Sequence, residues 1–403
     1  MPMELRARTP EGASLVALAE RFADDLAVGA AARDRDGSYP FDGIDALRRA
    51  GYFGAPVPAE LGGLGVGSIH DAVIASGRLA RGDASLAIGV NMHLVVVLNL
   101  ARRWRMARFA GNARREQAFG ASLRAIAPGE IVIAAAMSEP GQDLTRPATS
   151  AVRTDTGWRI DGHKSFCTMS PAATVLLTSV GFRGDDGGER YGYVEIPATA
   201  PGVTVNDDWD ALGMRSSGSH SVTFDGVELT AGALRGGFPA GELAPYLERN
   251  LPSGLFHASA SLGIAETAFA RTARPERIGD DARARMLVAE SAIDLAAARA
   301  TIARSAMLID DHHAANPADP GADDEIVALF AEGQAAKTFV NDAATRVVDR
   351  ALALSGGAGY LNGSPLARAY RDVRAGAFMH PLGANRAYAF LGDEALGRPI
   401  ELH

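Results

Sequence analysis

The chain has 403 residues, of which 47% are hydrophobic and 22% are charged, and its formal net charge is -8. This length allows roughly two or three domains, and these proportions are typical of globular proteins rather than of disordered or membrane proteins. The negative charge, without any run of basic residues, argues against nucleic acid or an anionic membrane surface as the main partner. The first residues lack the apolar core of a signal peptide, so we expect a cytoplasmic protein.

Residues 1–128 are predicted to form an N-terminal helical domain. Apolar residues recur there at spacings of three and four, as on one face of an amphipathic helix, at Leu15, Leu18, Phe22 and Leu26. Further helices are expected around residues 44–50, 68–82 and 85–104. The segment APVPAELGGLGVG, residues 55–67, indicates a structured loop because its prolines and glycines do not continue a helix.

The character of the sequence changes near residue 131, and residues 129–236 are predicted to form a small central β-barrel or sheet domain. Short segments rich in β-branched and aromatic residues alternate there with turns such as TDTG and GDDGG. Strands are expected at residues 158–160, 174–180, 191–196, 203–205, 221–224 and 227–229. Strands so close together favour a small sheet or barrel over a βαβ unit.

Residues 237–403 are predicted to form a C-terminal four-helix bundle, which makes the chain a multi-domain α+β protein. One long helix is indicated by apolar residues at spacings that suit close antiparallel packing. These residues are Met286, Ala289, Ile293, Ala296, Ala300, Ala303 and Met307. A second long helix repeats the pattern from Ala336 to Ala351, and the polar segment at residues 314–324 is the expected hairpin between them.

Redox chemistry in this chain requires a cofactor, because its single cysteine, Cys167, has no disulfide partner and no Cys/His spacing indicates a metal site. Residues 134–151 and 158–173 combine glycine-containing turns with a lysine, an aromatic residue and a hydroxyl residue, which would suit a flat cofactor. Alone, they are more typical of two β-hairpin turns. The glycine cluster at residues 356–359 would let backbone approach a phosphate, but it is also a common helix terminator.

Together and in this order, several segments resemble the acyl-CoA dehydrogenase family. They are VPAELGGLG at residues 57–65, MSEPGQDL at 137–144, DGHKSFCT at 161–168, LGMRSSGSHSVTF at 212–224, SLGIAETAF at 261–269, and ALSGGAGY and AYRDVRAG near the C-terminus. Such collinear matches are specific, although any one of them would be weak. The resemblance implies that FAD is held where the helical blocks meet the β block, and that a homodimer or homotetramer completes the site.

The resemblance also implies roles for particular residues. The Ser-Glu-Pro turn, with Met137 and Ser138 here, would lie at the pyrimidine edge of the flavin. The aromatic and hydroxyl residues that follow, Phe166 and Thr168, would pack on the isoalloxazine and hydrogen-bond it near N5. The double glycine, Gly356 and Gly357, would approach the FAD pyrophosphate of the neighbouring subunit.

The sequence departs from the family pattern at several cofactor contacts. The family segment GAGSD after the Ser-Glu-Pro turn is shortened here around Gln142, and Ala353 replaces a glutamine three residues before the double glycine. The arginine that reaches the adenine half of FAD is not recognisable, and the candidates to replace it are Arg271, Arg274 and Arg277. We therefore expect FAD to bind less tightly than in typical members.

The largest departure concerns the catalytic base. Most members have a glutamate after an Arg-Asp pair, which is Arg371-Asp372 here and is called the RD motif. The position that matches this glutamate is His380. A neutral imidazole suits the removal of an α-proton at neutral pH, whereas the alternative is a structural role at the end of the bundle. Where a minority of members carry the glutamate on an earlier helix, this sequence has Ser253, and the nearest acid is Glu248. His93 is expected to be a core residue.

Two reactions are compatible with this pattern. The first hypothesis is FAD-dependent α,β-dehydrogenation of an acyl thioester, on CoA or a carrier protein, with hydride transfer to flavin N5 and an electron-acceptor flavoprotein as partner. The alternative is a monooxygenase of the same fold that hydroxylates nitrogen, sulfur or an aromatic ring, using O2 and reduced FAD or FMN from a flavin reductase. The missing glutamate fits the alternative, whereas the MSEP, LGMR and LGIA segments resemble the dehydrogenase branch more closely.

Overall fold

The computed structural model describes residues 4–141, 143–400 and 402, and its first part is helical as predicted. Five helices form this block in the described residues: α1 (Pro10–Asp36), α2 (Phe41–Arg49), α3 (Ile69–Ala80), α4 (Ala84–Phe109) and α5 (Ala113–Ile126). Local capping explains four of their starts. The side chains of Thr9, Ser68, Asp83 and Asn112 accept hydrogen bonds from N–H groups in the first turns of α1, α3, α4 and α5. The predicted loop at residues 55–67 is confirmed and contains a short 3-10 turn, Ala59–Leu61.

Helix α4 is the core helix of the N-terminal block. By length and composition it is apolar enough to cross a membrane, with a mean hydropathy of 1.8, but 83% of that apolar window is buried inside the protein. Its neighbours are α3, α5, α7 and strand β1. A helix that is apolar on all sides is typical of the core of a large globular protein, and burial accounts for its composition.

The middle of the chain forms a mostly antiparallel sheet. In the described residues its strands are β1 (Ile133–Ala136), β2 (Ser150–Arg153), β3 (Gly157–Lys164), β4 (Val175–Arg183), β5 (Glu189–Pro197), β6 (Val203–Val205), β7 (Val222–Thr230) and β8 (Arg235–Pro239). The order across the sheet is β6-β7-β3-β2-β4-β5-β8, and β1 pairs with β4 in parallel. All the predicted strand segments overlap strands of this sheet, and two of them, residues 174–180 and 221–224, begin one residue before the observed strand.

Strand β7 joins two segments that were expected to be separate strands. The dipeptide Asp225-Gly226, a turn signal in the sequence, forms a β-bulge instead, with both residues facing the single residue Asp161 of β3. Gly226 adopts a positive φ of 63°, and its N–H donates to the Asp161 carboxylate at 2.8 Å. The glycine therefore bends the strand without ending it.

Strands β1, β2 and β8 were not anticipated from the sequence. The segment RGGFP of β8 contains two glycines, which have low strand propensity, so pairing with β5 rather than local preference makes it a strand. Because β8 continues to Pro239, it crosses the expected boundary at residue 236. The division into residues 1–128, 129–236 and 237–403 stays a prediction.

The helices of the C-terminal part follow the sheet. In the described residues they are α6 (Ala244–Asn250), α7 (Ser253–Thr272), α8 (Pro275–Ile278), α9 (Ala282–Ala315), α10 (Asp323–Ser355), α11 (Gly357–Tyr360), α12 (Pro365–Val373) and α13 (Ala384–Ala395). Helix α10 packs against α7, α9, α12 and α13. The predicted hairpin between α9 and α10 is confirmed, and so is the bundle architecture.

The apolar stripe predicted on α9 is only partly packed inside the chain. Met286 and Ile293 are 56% and 68% exposed, whereas the buried face carries Leu295, Ile302 and Ile309. The helix is rich in alanine and has apolar residues on two faces, so spacing alone did not identify the face that packs on α7 and α10. The N-terminal half of α9 thus leaves an apolar surface unpacked within the chain.

Two hydrophobic cores meet at the sheet. Alternate residues of β4 point to opposite faces, so Leu176 and Val180 pack inside the β domain while Leu177 packs against the helical blocks. Tyr191 and Tyr193 of β5 join the same helical core. This junction of sheet and helices is where the two helical blocks and the β block come together.

Candidate active site

A cavity of about 430 Å³ opens at this junction, between the sheet, α4, α6, α7 and the segment after α12. Four of the residues that face it from the β domain are called here the sheet-side wall: Met137, Ser138, Phe166 and Thr168. Four of those that face it from the C-terminal part are called the helix-side wall: Asn250, Ser253, His257 and His380. The structure therefore brings together five of the seven residues that were predicted to form the site.

The sheet-side wall is held by a buried ion pair. The Lys164 Nζ lies 2.6 Å from the Glu139 carboxylate, and both side chains are almost fully buried. Glu139 also accepts hydrogen bonds from the Thr149 N–H and hydroxyl. Burial alone would raise the pKa of Glu139, but the Lys164 ammonium and these hydrogen bonds lower it. The Ser165 N–H donates to the Ser138 carbonyl at 2.8 Å, so the two motifs that were predicted to hold the flavin are joined to each other.

Phe166 presents its ring to the cavity from a strained backbone. Its φ is 54°, which is uncommon outside glycine, and its side chain is 64% exposed. The edge of the ring contacts Trp209, with 5.8 Å between centroids and 76° between planes. Thr168 lies beside it, and its hydroxyl is 3.0 Å from that of Ser219. An open aromatic face next to hydroxyl groups fits a flat ring with polar edges, as in a flavin.

The RD motif anchors the loop at residues 212–214, which forms another part of the cavity wall. Arg371 donates two hydrogen bonds to the Asp34 carboxylate, at 2.9 and 2.5 Å, and Asp372 accepts one from the Met214 N–H at 2.6 Å. Burial raises the pKa of Asp372 to about 7. A Cβ on Gly213 would lie 2.3 Å from the Arg371 carbonyl oxygen, so only glycine fits this close approach.

His380 lies on the helix-side wall with a defined hydrogen bond. Its Nε2 is 2.9 Å from the Asn250 Oδ1, and because a carbonyl oxygen only accepts, Nε2 carries the proton. The Ser253 hydroxyl donates to the same oxygen at 3.3 Å. Burial, followed by the charge of Lys337, lowers the pKa of His380 to about 3. The imidazole is therefore neutral and only weakly basic.

Lys337 positions the segment that carries His380. Its Nζ donates to the Leu382 carbonyl at 2.6 Å and to the Met379 carbonyl, so the buried lysine contacts the backbone on both sides of His380. Burial lowers the pKa of Lys337 to about 7. The sequence did not predict this role, because nothing in the local pattern of α10 distinguishes Lys337 from a surface lysine.

His257 is a second cavity residue that the sequence analysis missed. It is 5% exposed, and neither ring nitrogen has a hydrogen-bond partner among the described residues. Desolvation, followed by the charges of Lys337 and His380, lowers its pKa well below the ordinary value. The available signal was the spacing of Asn250, Ser253 and His257 by three and four, which places polar groups on one side of an otherwise apolar helical segment.

The remaining candidates lie apart from the cavity. Glu248 does not line it, because its carboxylate binds Arg103 at 2.8 Å. His93 is a core residue, as expected: its Nδ1 accepts from a backbone N–H, and burial lowers its pKa to about 4. Cys167 is fully buried, and burial raises its pKa to about 12, so it is an inert thiol. Gln142 lies outside the described residues.

The glycine turn after α10 is exposed and does not line the cavity. Gly356 has a φ of 64° and a ψ of -162°, a conformation that is essentially restricted to glycine. The contact predicted for Gly356 and Gly357 is with the FAD pyrophosphate of a neighbouring subunit. It stays a prediction. Arg271 lines a separate cavity of about 580 Å³, while Arg274 and Arg277 are exposed. None of these arginines therefore lines the 430 Å³ cavity.

The cavity wall carries arginines but no carboxylate. Arg249, Arg371 and Arg374 line it together with two neutral histidines, and no aspartate or glutamate does so in the described part of the chain. That part also contains no group of three or more potential metal ligands. The chemistry that this wall supports by itself is hydrogen bonding and exclusion of water, rather than proton abstraction by a carboxylate.

Comparison with known proteins identifies the family. Models of three domains match the chain: acyl-CoA dehydrogenase, N-terminal domain at residues 9–104, middle domain at residues 134–227, and C-terminal domain at residues 254–385. The matches follow one another in the same order as the three parts of the structure. They support both the predicted family and the predicted fold class.

Individual relatives agree with this assignment. The chain is 36% identical over 402 residues to the amino sugar nitrososynthase DnmZ of Streptomyces peucetius, which covers 97% of this chain and 95% of the relative. It is 31% identical over 377 residues to the putative acyl-CoA dehydrogenase YdbM of Bacillus subtilis, covering 90% and 91%. The crystal structure of KijD3 with FMN and dTDP-3-amino-2,3,6-trideoxy-4-keto-3-methyl-D-glucose has a TM-score of 0.89 at 33% identity, covering 98% of this chain and 96% of that chain. The predicted class of enzyme, a flavin-dependent oxidoreductase, is confirmed by these relatives, and the chain belongs to the acyl-CoA dehydrogenase family.

Proposed function

We propose that this protein is a flavin-dependent monooxygenase that oxidises the amino group of a nucleotide-linked amino sugar. The observation that carries the proposal is the cavity wall without a carboxylate in the described residues. Dehydrogenation of an acyl thioester needs a base beside the α-carbon. His380 occupies the expected position, but burial lowers its pKa to about 3, which makes it a poor acceptor for a carbon-bound proton.

The relatives support the oxygenase alternative over the dehydrogenase hypothesis. DnmZ is named as an amino sugar nitrososynthase, and KijD3 was crystallised with an amino sugar linked to dTDP. YdbM, with lower identity, is named as a putative acyl-CoA dehydrogenase. We therefore take the alternative as the better account of this chain, with a small sugar nucleotide as substrate in place of a thioester.

FMN is the cofactor that we propose for this reaction. KijD3 was crystallised with FMN. The departures from the family pattern at cofactor contacts fall, by the resemblance, toward the pyrophosphate and adenine end of FAD. Arg271, Arg274 and Arg277 do not line the cavity of about 430 Å³, and Ala353 replaces the glutamine before the double glycine. The residues that would hold the ring belong to the sheet-side wall, which does not depend on the adenylate.

The proposed reaction adds one oxygen atom to the amine. A reduced flavin bound here would supply two electrons that activate O2, so that an amine, O2 and reduced flavin give a hydroxylamine, water and oxidised flavin. The contribution of the chain is to hold the ring on Phe166 and Thr168 and to keep water out with the apolar residues of α4, Ile88, Met92 and Val95. The reduced flavin would come from a separate reductase.

The proposal is tested by supplying both classes of substrate to the protein loaded with flavin. With a flavin reductase, NADH and ¹⁸O2, we expect mass spectrometry to detect one labelled oxygen on the nitrogen of a dTDP-linked amino sugar. Without O2, acyl-CoA and acyl-carrier-protein thioesters should leave the flavin absorbance unchanged. Bleaching of the flavin by a thioester, with no oxygen transfer to the amine, would overturn the proposal and restore the dehydrogenase hypothesis.

A further inference from the structure

Arg249 is a cation at the cavity that has no ion-pair partner. It lies in the last turn of α6, lines the cavity of about 430 Å³ and is half-buried. The adjacent carboxylate, that of Glu248, binds Arg103 at 2.8 Å. In the part of the chain that the structure describes, the Arg249 guanidinium forms no salt bridge and no hydrogen bond. An unpaired charge is costly to remove from water, so a partner for this guanidinium is expected from outside the chain.

The Arg249 guanidinium is held in place with two of its nitrogens open. Its Cζ lies 3.7 Å from the centroid of the Tyr193 ring, and the Arg249 carbonyl accepts a hydrogen bond from the Asn99 side chain at 2.7 Å. The Nε atom is buried without a partner, whereas Nη1 and Nη2 are not closed off. A group that enters the cavity can therefore reach the two terminal nitrogens but not Nε.

The other two arginines at this cavity are satisfied in different ways. Arg371 donates to the Asp34 carboxylate at 2.9 and 2.5 Å, and Arg374 is exposed to solvent. Burial lowers the pKa of Arg249, yet an arginine keeps its proton in proteins. No aspartate or glutamate of the described residues lines the cavity. The missing counter-charge therefore belongs to an anion that enters the cavity, and a guanidinium matches an anion that offers two oxygens side by side.

We propose that Arg249 binds the diphosphate of the sugar-nucleotide substrate through Nη1 and Nη2, and so selects a nucleotide-linked sugar over a free one. This inference rests on the proposed function. FMN also carries a phosphate, but the flavin ring is assigned to the sheet-side wall. Arg249 directly precedes Asn250, whose side-chain oxygen accepts hydrogen bonds from His380 and Ser253 on the opposite wall. A substrate that faces the flavin from the helix-side wall lies next to Arg249.

The inference is tested by equilibrium binding to the enzyme loaded with oxidised FMN, with no reductant present. The probes are dTDP, with which KijD3 was also crystallised, and thymidine, which has no phosphate. We expect Arg249→Met to weaken dTDP binding about 10- to 100-fold, the loss expected for hydrogen bonds to a charged group, and to leave thymidine binding unchanged. Arg249→Lys keeps the charge but not the two-pronged geometry, so its affinity for dTDP should fall between those of the wild type and Arg249→Met.

Arg153→Met is the matched control, because Arg153 also stacks on an aromatic ring. Its Cζ lies 4.7 Å from the centroid of the Trp158 ring, and Arg153 does not line the cavity. This variant should bind dTDP as the wild type does. In thermal unfolding without dTDP, Arg249→Met should keep the Tm of the wild type, because the side chain forms no salt bridge or hydrogen bond in the described part of the chain. Saturating dTDP should raise the Tm of the wild type more than that of Arg249→Met.

Three results would overturn the inference. One is equal affinity for dTDP in the wild type and in Arg249→Met. Another is weaker binding of FMN to Arg249→Met with unchanged affinity for dTDP, which would assign the guanidinium to the phosphate of the cofactor. The third is a lower Tm of Arg249→Met together with equal losses of affinity for dTDP and thymidine, which would make Arg249 a packing residue.

The outcomes also separate this inference from the proposed function. If the wild type oxidises the amine but Arg249→Met binds dTDP as tightly as the wild type, the inference fails and the proposed function stands. If Arg249→Met loses affinity for dTDP but the wild type oxidises no amine, the diphosphate site stands and the proposed reaction fails. If the wild type neither binds dTDP nor oxidises the amine, both fail.

Discussion

The sheet-side wall and the helix-side wall face each other across one cavity, but they differ in how their buried polar groups are satisfied. Beneath the sheet-side wall, Lys164 and Glu139 form an ion pair, and Thr149 supplies further hydrogen bonds to the carboxylate. On the helix-side wall, neither ring nitrogen of His257 has a hydrogen-bond partner among the described residues, and the same is true of both amide atoms of the buried Gln334 on α10. The buried charges at one wall are paired, whereas these two buried side chains at the other are not.

This difference separates what the site shares with its family from what is particular to it. The sheet-side wall carries the motifs that resemble the acyl-CoA dehydrogenases, and it is rigid because buried charges allow little alternative packing. The helix-side wall carries His380 where the family usually has a glutamate. A fold can thus keep its cofactor wall and change its reaction through the opposite wall.

The largest effect is expected from breaking the buried ion pair of the sheet-side wall. Lys164→Met leaves the Glu139 carboxylate buried without its ammonium partner, which typically costs about 3–5 kcal/mol of the free energy of unfolding. We expect urea denaturation to show that loss and the purified variant to bind no flavin. Adding Glu139→Gln to Lys164→Met should restore much of the stability. If the free energy of unfolding of Lys164→Met alone were within about 1 kcal/mol of the wild-type value, the sheet-side wall would not depend on this ion pair.

Asp372 joins the end of α12 to the loop at residues 212–214, because its carboxylate accepts a hydrogen bond from the Met214 N–H. Burial raises its pKa to about 7, so between about pH 4 and 7 the native state keeps a proton that the unfolded state has released. Stability should therefore fall as the pH rises through this window, by up to about 4 kcal/mol for a shift of roughly three pKa units.

The change Asp372→Asn should remove this pH dependence, because an asparagine oxygen still accepts from Met214 but does not titrate. The measurement is the free energy of unfolding of both proteins at several pH values between about 4 and 8. The difference between the two curves isolates Asp372 from the other carboxylates. Two parallel curves would mean that Asp372 titrates normally in the folded protein.

The sequence identified the sheet-side wall better than the helix-side wall, for a physical reason. Met137, Ser138, Phe166 and Thr168 lie in two short motifs that carry the family resemblance, and the bridge between Ser138 and Ser165 brings these motifs together. The role of Lys337 depends instead on contacts between α10 and a segment more than 40 residues away, which no local pattern records.

Contacts between distant segments also decide how α9 packs and what the RD motif does, and the local sequence predicted neither. Spacing predicted the existence of α9 but not which of its two apolar faces is buried, and Ile293 is exposed. Arg371 and Asp372 were recognised only as part of a family motif. Their function of fixing residues 212–214 depends on Asp34, which is 337 residues from Arg371 in the sequence.

A smaller effect is expected from the aromatic surface of the sheet-side wall. Phe166→Ala removes a ring that is already 64% exposed, so the free energy of unfolding should change by less than about 0.5 kcal/mol. The flavin loses a stacking partner, which should weaken its binding by about tenfold, measured by fluorescence titration of FMN. Phe109→Ala is the matched control, because Phe109 is 69% exposed but does not line the cavity. If both variants bound FMN with equal affinity, the flavin ring would not stack on Phe166.

The smallest effect is expected at the residue where the family places its base. His380→Gln keeps a donor for the Asn250 oxygen, and a group with a pKa of about 3 is neutral across the pH range of a normal assay. The oxygen-transfer rate should therefore stay within about threefold of the wild type, and neither protein should show an inflection between about pH 5 and 8 that depends on this residue. A general base contributes about 10²–10⁴ to a rate. A loss of that size, with an inflection that disappears in the variant, would show that the helix-side wall performs acid–base chemistry after all and would favour dehydrogenation.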